Sequence, residues 1–278
     1  MHEPASRPVL ITGCSSGIGL CVAKGLHQRG YRVIATARKS EDVERLRKSG
    51  LESVVLDLAD SASIQQAVTA ILDMTGERIY ALFNNGAYGQ PGAVEDLSRE
   101  ALRAQFETNL FGWHELTCQI IPVMRRQGEG RIIQNSSVLG FIALPYRGAY
   151  NASKFALEGL SDTLRLELRG SGIQVSLIEP GPIESRFRAN AYAMWQRYVD
   201  PTQSPHQDAY RAMQERLKRD GPAAPFTLPP EAVLKRVIHA LESPRPRVRY
   251  PVTFPTYLFA GLKRILPDRL LDQLLRRV

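Results

Sequence analysis

Short apolar runs recur along the first two-thirds of the chain. They alternate with longer stretches whose apolar positions fall three and four residues apart. A short continuous run suits a strand buried on both faces, and the wider spacing suits a helix with one buried stripe. Pro8–Thr12, Val33–Thr36, Ser53–Leu56, Ile79–Phe83, Arg131–Gln134 and Gln174–Ile178 read as strands. Helical spacing covers Gly17 to Arg29, closed by Gly30, then Ala101 to Met124 and Asn151 to Leu168. This alternation predicts βαβ units: an α/β fold with a doubly wound, mostly parallel sheet and helices on both faces.

The pattern changes after Pro180. Residues 181–230 carry prolines, aromatics and mixed charge without strand alternation. A segment this long predicts a mobile functional loop, here a lid over a substrate, in preference to a linker. Helical spacing resumes from Glu231 to Leu241, and Arg247–Tyr250 fits a seventh strand. The tail, residues 255–278, is amphipathic, with Leu270, Leu271, Leu274, Leu275 and Val278 at helical intervals. At 278 residues, the whole of 1–278 reads as one domain.

Composition narrows the class without choosing a function. Hydrophobic residues make up 44% and charged residues 23%, close to the globular average, so wholesale disorder is not expected. The net charge of +8 is scattered apart from short pairs such as Arg125-Arg126 and Lys263-Arg264, which argues against a nucleic-acid surface. Three cysteines, Cys14, Cys21 and Cys118, lack metal-ligand spacing, and the histidines are dispersed. The reading is therefore no metal site, no disulfide framework, and a reducing, cytoplasmic setting. Met1-His2-Glu3-Pro4 carries no secretory signature, and no run approaches the length of a membrane span.

Between the first strand and first helix lies Thr12-Gly13-Cys14-Ser15-Ser16-Gly17-Ile18-Gly19. Glycines let the backbone turn tightly and approach a pyrophosphate, and the helix start offers free N–H groups to it. A Rossmann-like sheet carries such a loop at its first turn. An NAD site would place an acid at the end of strand two; here that end reads Thr36-Ala37-Arg38-Lys39. Arg38 can pair with a 2′-phosphate, so NADP(H) is the expected cofactor. Asp57, closing strand three, is an acceptor for the adenine amino group, and Asn84-Asn85-Gly86-Ala87 closes strand four.

The chemical residues follow. Tyr150 and Lys154, in Tyr150-Asn151-Ala152-Ser153-Lys154, stand four apart and share a helix face. A free tyrosine is a poor base at neutral pH, and a neighbouring ammonium brings its pKa toward the working range. Ser137, at the mouth of strand five, can hold a substrate carbonyl oxygen.

From about Val9 to Ser185 the chain resembles the single-domain branch of the short-chain dehydrogenase/reductase family. The residues that carry the likeness are the Thr12–Gly19 loop, Asp57, Asn84-Asn85, Asn109, Ser137, Tyr150-x-x-x-Lys154 and Pro180-Gly181. The resemblance implies that Ser137, not Ser136, polarises the substrate and that Tyr150 donates or accepts the proton. It implies that Lys154 lowers the Tyr150 pKa and binds the nicotinamide ribose, and that Asn109 steadies a relay water. It places Ile183 along the nicotinamide and Ser185 near the carboxamide, where the family usually has threonine. Gly86-Ala87 reverses the family's usual order. Within the family the likeness is to hydroxysteroid and retinol dehydrogenases and bacterial aldehyde reductases.

The same tyrosine–lysine pair also occurs in sugar-nucleotide epimerases and dehydratases, and a silent binding module could keep the fold. The leading reading is hydride transfer between nicotinamide and an apolar aldehyde, ketone or alcohol. It rests on Phe187, Tyr192, Met194, Trp195, Tyr198 and Phe226 in the lid and on Phe141, Leu144 and Tyr146 after strand five. The expected partners are that small substrate and a second copy of the chain in a homo-oligomer, with no nucleic acid. The tail's leucines, with Arg269, Arg276 and Arg277, leave three surfaces open: a bilayer, a partner subunit or the protein's own body.

Overall fold

The structure is a computed structural model that describes residues 7–219, 221 and 224–276. Residues 1–4 and the tail's Arg277 and Val278 lie outside the described residues. Seven strands form a single sheet in the order β3-β2-β1-β4-β5-β6-β7, and every neighbouring pair runs parallel. They are β1 Pro8–Ile11, β2 Arg32–Ala37, β3 Glu52–Val55, β4 Ala81–Asn84, β5 Gly130–Asn135, β6 Ile173–Glu179 and β7 Arg249–Pro251. The expected seventh strand thus begins two residues later than its sequence assignment and ends one residue later. The register sets Val9, Leu10 and Ile11 against Ala81, Leu82 and Phe83.

Successive strand residues point to opposite faces, so the sheet has two cores. Val9, Ile11, Val33, Ala35 and Phe83 pack under α1 (Gly17–Gln28), α2 (Ser40–Lys48) and α9 (Glu231–Glu242). Leu10, Ile34, Leu82 and Ile132 pack under α3 (Ser61–Thr75), α5 (Gly112–Gln127) and α6 (Gly148–Glu167). The chain winds outward from β1 to β3 and then crosses back to β4. The order therefore reverses between β1 and β4, and a crevice opens at the carboxyl ends of those strands.

Two assignments change. The single helix expected over Ala101–Met124 is α4 (Arg99–Phe106), a π-helical turn over Glu107–Phe111, and then α5. The π turn sits at Asn109, whose carboxamide is engaged by a neighbouring loop. Tertiary contact of that kind is invisible to helical spacing. The segment after β6, expected to be irregular, contains α7 (Phe187–Tyr198) and α8 (Gln207–Lys218). They bury Ala191, Trp195, Tyr210, Met213 and Leu217 mainly against each other and Ala93. Their stripes are narrow because they face one another and not the sheet, and Pro201 and Pro205 keep both helices short. The tail forms α10 (Phe254–Ile265) and α11 (Asp268–Leu275). Among the described residues no helix is long and apolar enough to cross a membrane, and no group of acids, histidines and cysteines is disposed to hold a metal.

Candidate active site

Side chains at the ends of β1, β4 and β5 lace the crevice together. The Thr12 hydroxyl accepts the backbone N–H groups of Asn85 and Gly86 at 2.8 and 2.9 Å. Asn85 Nδ2 donates to the carbonyls of Thr12 and Gly13 at 3.0 and 3.3 Å, and Asn135 Nδ2 donates to Asn85 Oδ1 at 2.9 Å. The loop closes only without side chains. Gly13 has φ +71°, and a Cβ there would lie 2.5 Å from the Cα of Gly86. A Cβ on Gly19 would lie 2.2 Å from the Gly13 carbonyl oxygen. The reversed Gly86-Ala87 order suits this packing, since Gly86 is the residue that meets Gly13.

α1 starts at Gly17 behind Ser16, which makes no side-chain cap, and its first turn holds no acid. The leading N–H groups and the positive end of the helix dipole are therefore unspent, which is what a pyrophosphate requires. The residues present fit a dinucleotide on this observation. Ser15 and Ser16 are half-buried at the loop's crest, and Ile18 packs into the core beneath. Arg38, just beyond β2, is exposed, and Arg45 Nη2 donates to the Ser15 carbonyl at 3.0 Å. Arg45 is a second guanidinium at this corner that the sequence reading missed, because no spacing rule ties α2 to the glycine loop. Asp57 Oδ1 accepts the Ala59 N–H at 3.0 Å, which fixes the turn after β3.

Opposite the loop, the Pro180 carbonyl accepts the Val138 N–H at 2.8 Å. Gly181 abuts Thr253, whose Oγ1 would be 2.1 Å from an added Cβ. Ile183 bridges to Leu228, and Ser185 is exposed beside Gly17, where the two would touch at 3.0 Å if Gly17 carried a Cβ.

At the centre stand Ser137, Tyr150 and Lys154. Ser137 Oγ accepts the Leu139 N–H at 3.1 Å, which orients the hydroxyl at the end of β5. Burial pushes the Tyr150 phenol up to about 12, and the facing Ser137 hydroxyl and the Arg147 charge pull against that rise. Lys154 is 1% exposed; its Nζ donates to the Asn135 carbonyl at 2.8 Å, lies 4.2 Å from the Trp113 ring centre and 5.8 Å from that of Tyr150. Burial pulls the Lys154 ammonium down to about 7, opposed by the negative charge of Glu158. Asn109 is fully buried. Its Nδ2 donates to the Tyr88 carbonyl at 2.8 Å, and its Oδ1 accepts the Tyr88 N–H at 3.2 Å. The carboxamide is thus bound to protein on both sides.

Two apolar elements meet over Tyr150. Phe187, the first residue of α7, packs edge-on against the Tyr150 ring with centres 5.4 Å apart. From the other side, Phe259, Leu262 and Leu266 join Phe141 and Leu144 in a cluster that includes Tyr150, with Leu271 and Leu275 of α11 behind them. The tail's buried leucines therefore pack on the protein's own body.

The family model for short chain dehydrogenases matches residues 7–195. The chain belongs to the short-chain dehydrogenase/reductase family. It is an oxidoreductase of that family, whose fold binds a nicotinamide cofactor. Uncharacterized oxidoreductase YbbO of Escherichia coli (strain K12) is 46% identical over 270 residues, spanning 97% of this chain and 94% of that protein. Retinol dehydrogenase 5 of Homo sapiens is 33% identical over 290 residues, spanning 98% of this chain and 89% of that protein. The crystal structure of a variant actinorhodin polyketide ketoreductase with NADPH superposes with a TM-score of 0.73 at 28% identity, over 91% of this chain and 97% of that one.

Proposed function

We propose that the protein is an NADP(H)-dependent carbonyl reductase or alcohol dehydrogenase acting on apolar aldehydes, ketones or alcohols in the cytoplasm, with Tyr150 as general acid and base. The observation that carries this reading is the position of Tyr150: four residues before buried Lys154, facing Ser137, and walled by Phe187 and the α10 cluster. Bound NADP(H) supplies or accepts the hydride at the carbonyl carbon. Ser137 would donate a hydrogen bond to the substrate oxygen, and Tyr150 would give that oxygen its phenolic proton as the alcohol forms. A phenol held up at about 12 is protonated at neutral pH, which suits the reductive direction. Lys154 Nζ, 5.8 Å from the ring centre, places its charge where it favours the phenolate left behind. Asn109 ties the Tyr88 loop to the π turn beside α6 and so holds the floor of the site. Arg38, with no acid at the end of β2 to oppose it, supports NADP(H) over NAD(H).

The apolar walls support a lipophilic substrate, because a site that excludes water around the carbonyl also favours bulky apolar groups. Residues 181–230 would act as the substrate cover of a single domain, though Tyr192, Trp195 and Tyr210 belong to the core between α7 and α8. Phe187 is the one that reaches Tyr150. Incubation of the purified protein with aliphatic aldehydes and either NADPH or NADH tests the assignment directly. Consumption of NADPH well above NADH is expected, and no consumption of either across aldehydes, ketones and alcohols with the oxidised cofactors would overturn it.

A further inference from the structure

Lys154 carries its charge into a place where little answers it. The side chain is 1% exposed, and among the described residues its Nζ bonds only the Asn135 carbonyl, at 2.8 Å. A buried ammonium needs a counter-ion or it sheds its proton. Its own helix offers one: Glu158 stands four residues on, on the same face of α6, and is 8% exposed. Both side chains meet the end of β5. Lys154 takes the carbonyl of Asn135, and Glu158 packs beside Ser136, the next residue. A Cβ on Gly140 would lie 2.7 Å from Ser136 Oγ, 3.0 Å from Glu158 Cγ and 3.1 Å from Glu158 Oε1. That carboxylate oxygen and the Ser136 hydroxyl are both buried, and neither is hydrogen-bonded to any other group.

Glu158 is held from behind. Its Oε2 accepts Arg249 Nη2 at 2.9 Å and Nε at 3.2 Å. Arg249, on β7, also donates to Asp162 Oδ2 at 2.7 Å and lies 3.2 Å from Glu179 Oε1 of β6. Arg165 pairs with Asp162 in turn. Two guanidinium groups therefore answer three carboxylates, and one negative charge is left over. Burial and the neighbouring Glu158 charge push Glu179 up to about 7. Burial pushes the Glu158 carboxyl up as well, and its Ser136 and Arg249 neighbours pull it back. Lys263 of α10 reaches the same helix over the Phe155 ring at 5.0 Å, but it is exposed and donates to the Phe141 carbonyl. On the buried side, the cation left to balance the cluster is Lys154.

We propose that Glu158, clamped by Arg249, is the counter-ion of Lys154 and a positioning residue for hydride transfer, keeping the buried ammonium charged beside Tyr150. Glu158 touches neither substrate nor cofactor in this role; it acts through the lysine. The role rests on the reductase reading above, whereas the ion pairing itself does not.

The first readout is the titration of Lys154, followed by NMR on the full chain with isotope-labelled lysine ε carbons and assigned from Lys154→Met. In Glu158→Gln, which keeps the shape and loses the charge, the midpoint should fall by about one pH unit, the effect of one charge across a helical turn. The falling limb of kcat/KM against pH, for NADPH-dependent reduction of a neutral aldehyde, should move by the same amount to lower pH. Asp162→Asn removes a charge from the same clamp two turns from Lys154 and should move neither readout by more than about 0.3 unit. Glu158→Asp keeps the charge but draws it back one methylene, so it should fall between the native protein and Glu158→Gln. An unmoved lysine in Glu158→Gln overturns the counter-ion. An equal shift in Asp162→Asn also overturns it and assigns the effect to the clamp's integrity. A lysine that shifts while the kinetic limb stays fixed overturns the role in the reaction. Should Glu158→Gln fail to fold, Glu158→Asp decides, and a midpoint that does not drop there overturns the pairing. If no carbonyl compound is reduced but the lysine shifts, the counter-ion stands and the reductase reading falls; reduction with an unmoved lysine gives the reverse.

Discussion

Tyr150 and Lys154 are held in opposite states of stress by one cause. Burial penalises the charged form of each, so the phenol rises to about 12 and the ammonium falls to about 7. The sign for pH follows. Oxidation of an alcohol needs the phenolate, so its rate should climb with pH through the neutral range. Reduction leans on the positive charge of Lys154 to stabilise the phenolate left behind, and should decline as that charge is lost when pH rises through about 7. Profiles of kcat/KM in both directions check this, and parallel profiles would contradict it. Tyr150→Phe keeps the ring against Phe187 and removes the proton, so activity should drop by roughly 10²–10⁴ with NADPH affinity little changed. Near-native turnover by that variant would falsify the catalytic assignment. Arg38→Ala should weaken NADP(H) at least about tenfold and spare NAD(H), since one charge-assisted contact is lost; a matching loss for both cofactors would mean that Arg38 does not read the 2′-phosphate.

At the scale of elements, each part of the site comes from a boundary. α1 contributes its uncapped start, β5 its end, α6 its first two turns, and the π turn a kink that lets Asn109 grip the Tyr88 loop. For the tail, the structure chooses among the surfaces left open and packs its buried leucines on the protein's own body. Leu271 is buried in the cluster that packs against Tyr150, whereas Leu270, its neighbour, is half-exposed. Leu271→Ala should therefore cost about 2–5 kcal/mol. Leu270→Ala should change stability by no more than about 0.5 kcal/mol. Urea melts of the two variants compare them, and equal losses would show that α11 does not rest on the body.

For the whole molecule, the reversal of strand order between β1 and β4 sets where a dinucleotide enters, and two outlying units, α7–α8 and α10–α11, set what reaches it from above. The apolar wall they build predicts a dependence on substrate length. Each further buried methylene is worth up to ~0.8 kcal/mol, so kcat/KM should rise severalfold per carbon along a linear aldehyde series before levelling. A flat series, or better turnover of polyols, would remove the lipophilic substrate class and leave the family assignment intact.

Strands such as Val33–Thr36 and Ile79–Phe83 were legible because a doubly covered parallel strand must be apolar throughout, and the glycine loop because its turn excludes side chains. Tyr150 and Lys154 were legible because one helix carries both. Local spacing holds no record of contacts between distant segments, and those contacts decided the remainder. The helices α7 and α8 owe their order to each other, the π turn to the Tyr88 loop, and the tail's docking to Phe141 and Leu144. Tyr146 packs on His206 and Tyr210 from far along the chain, because the free energy of closing so long a loop is recovered from burial on folding and leaves no periodic trace in either segment.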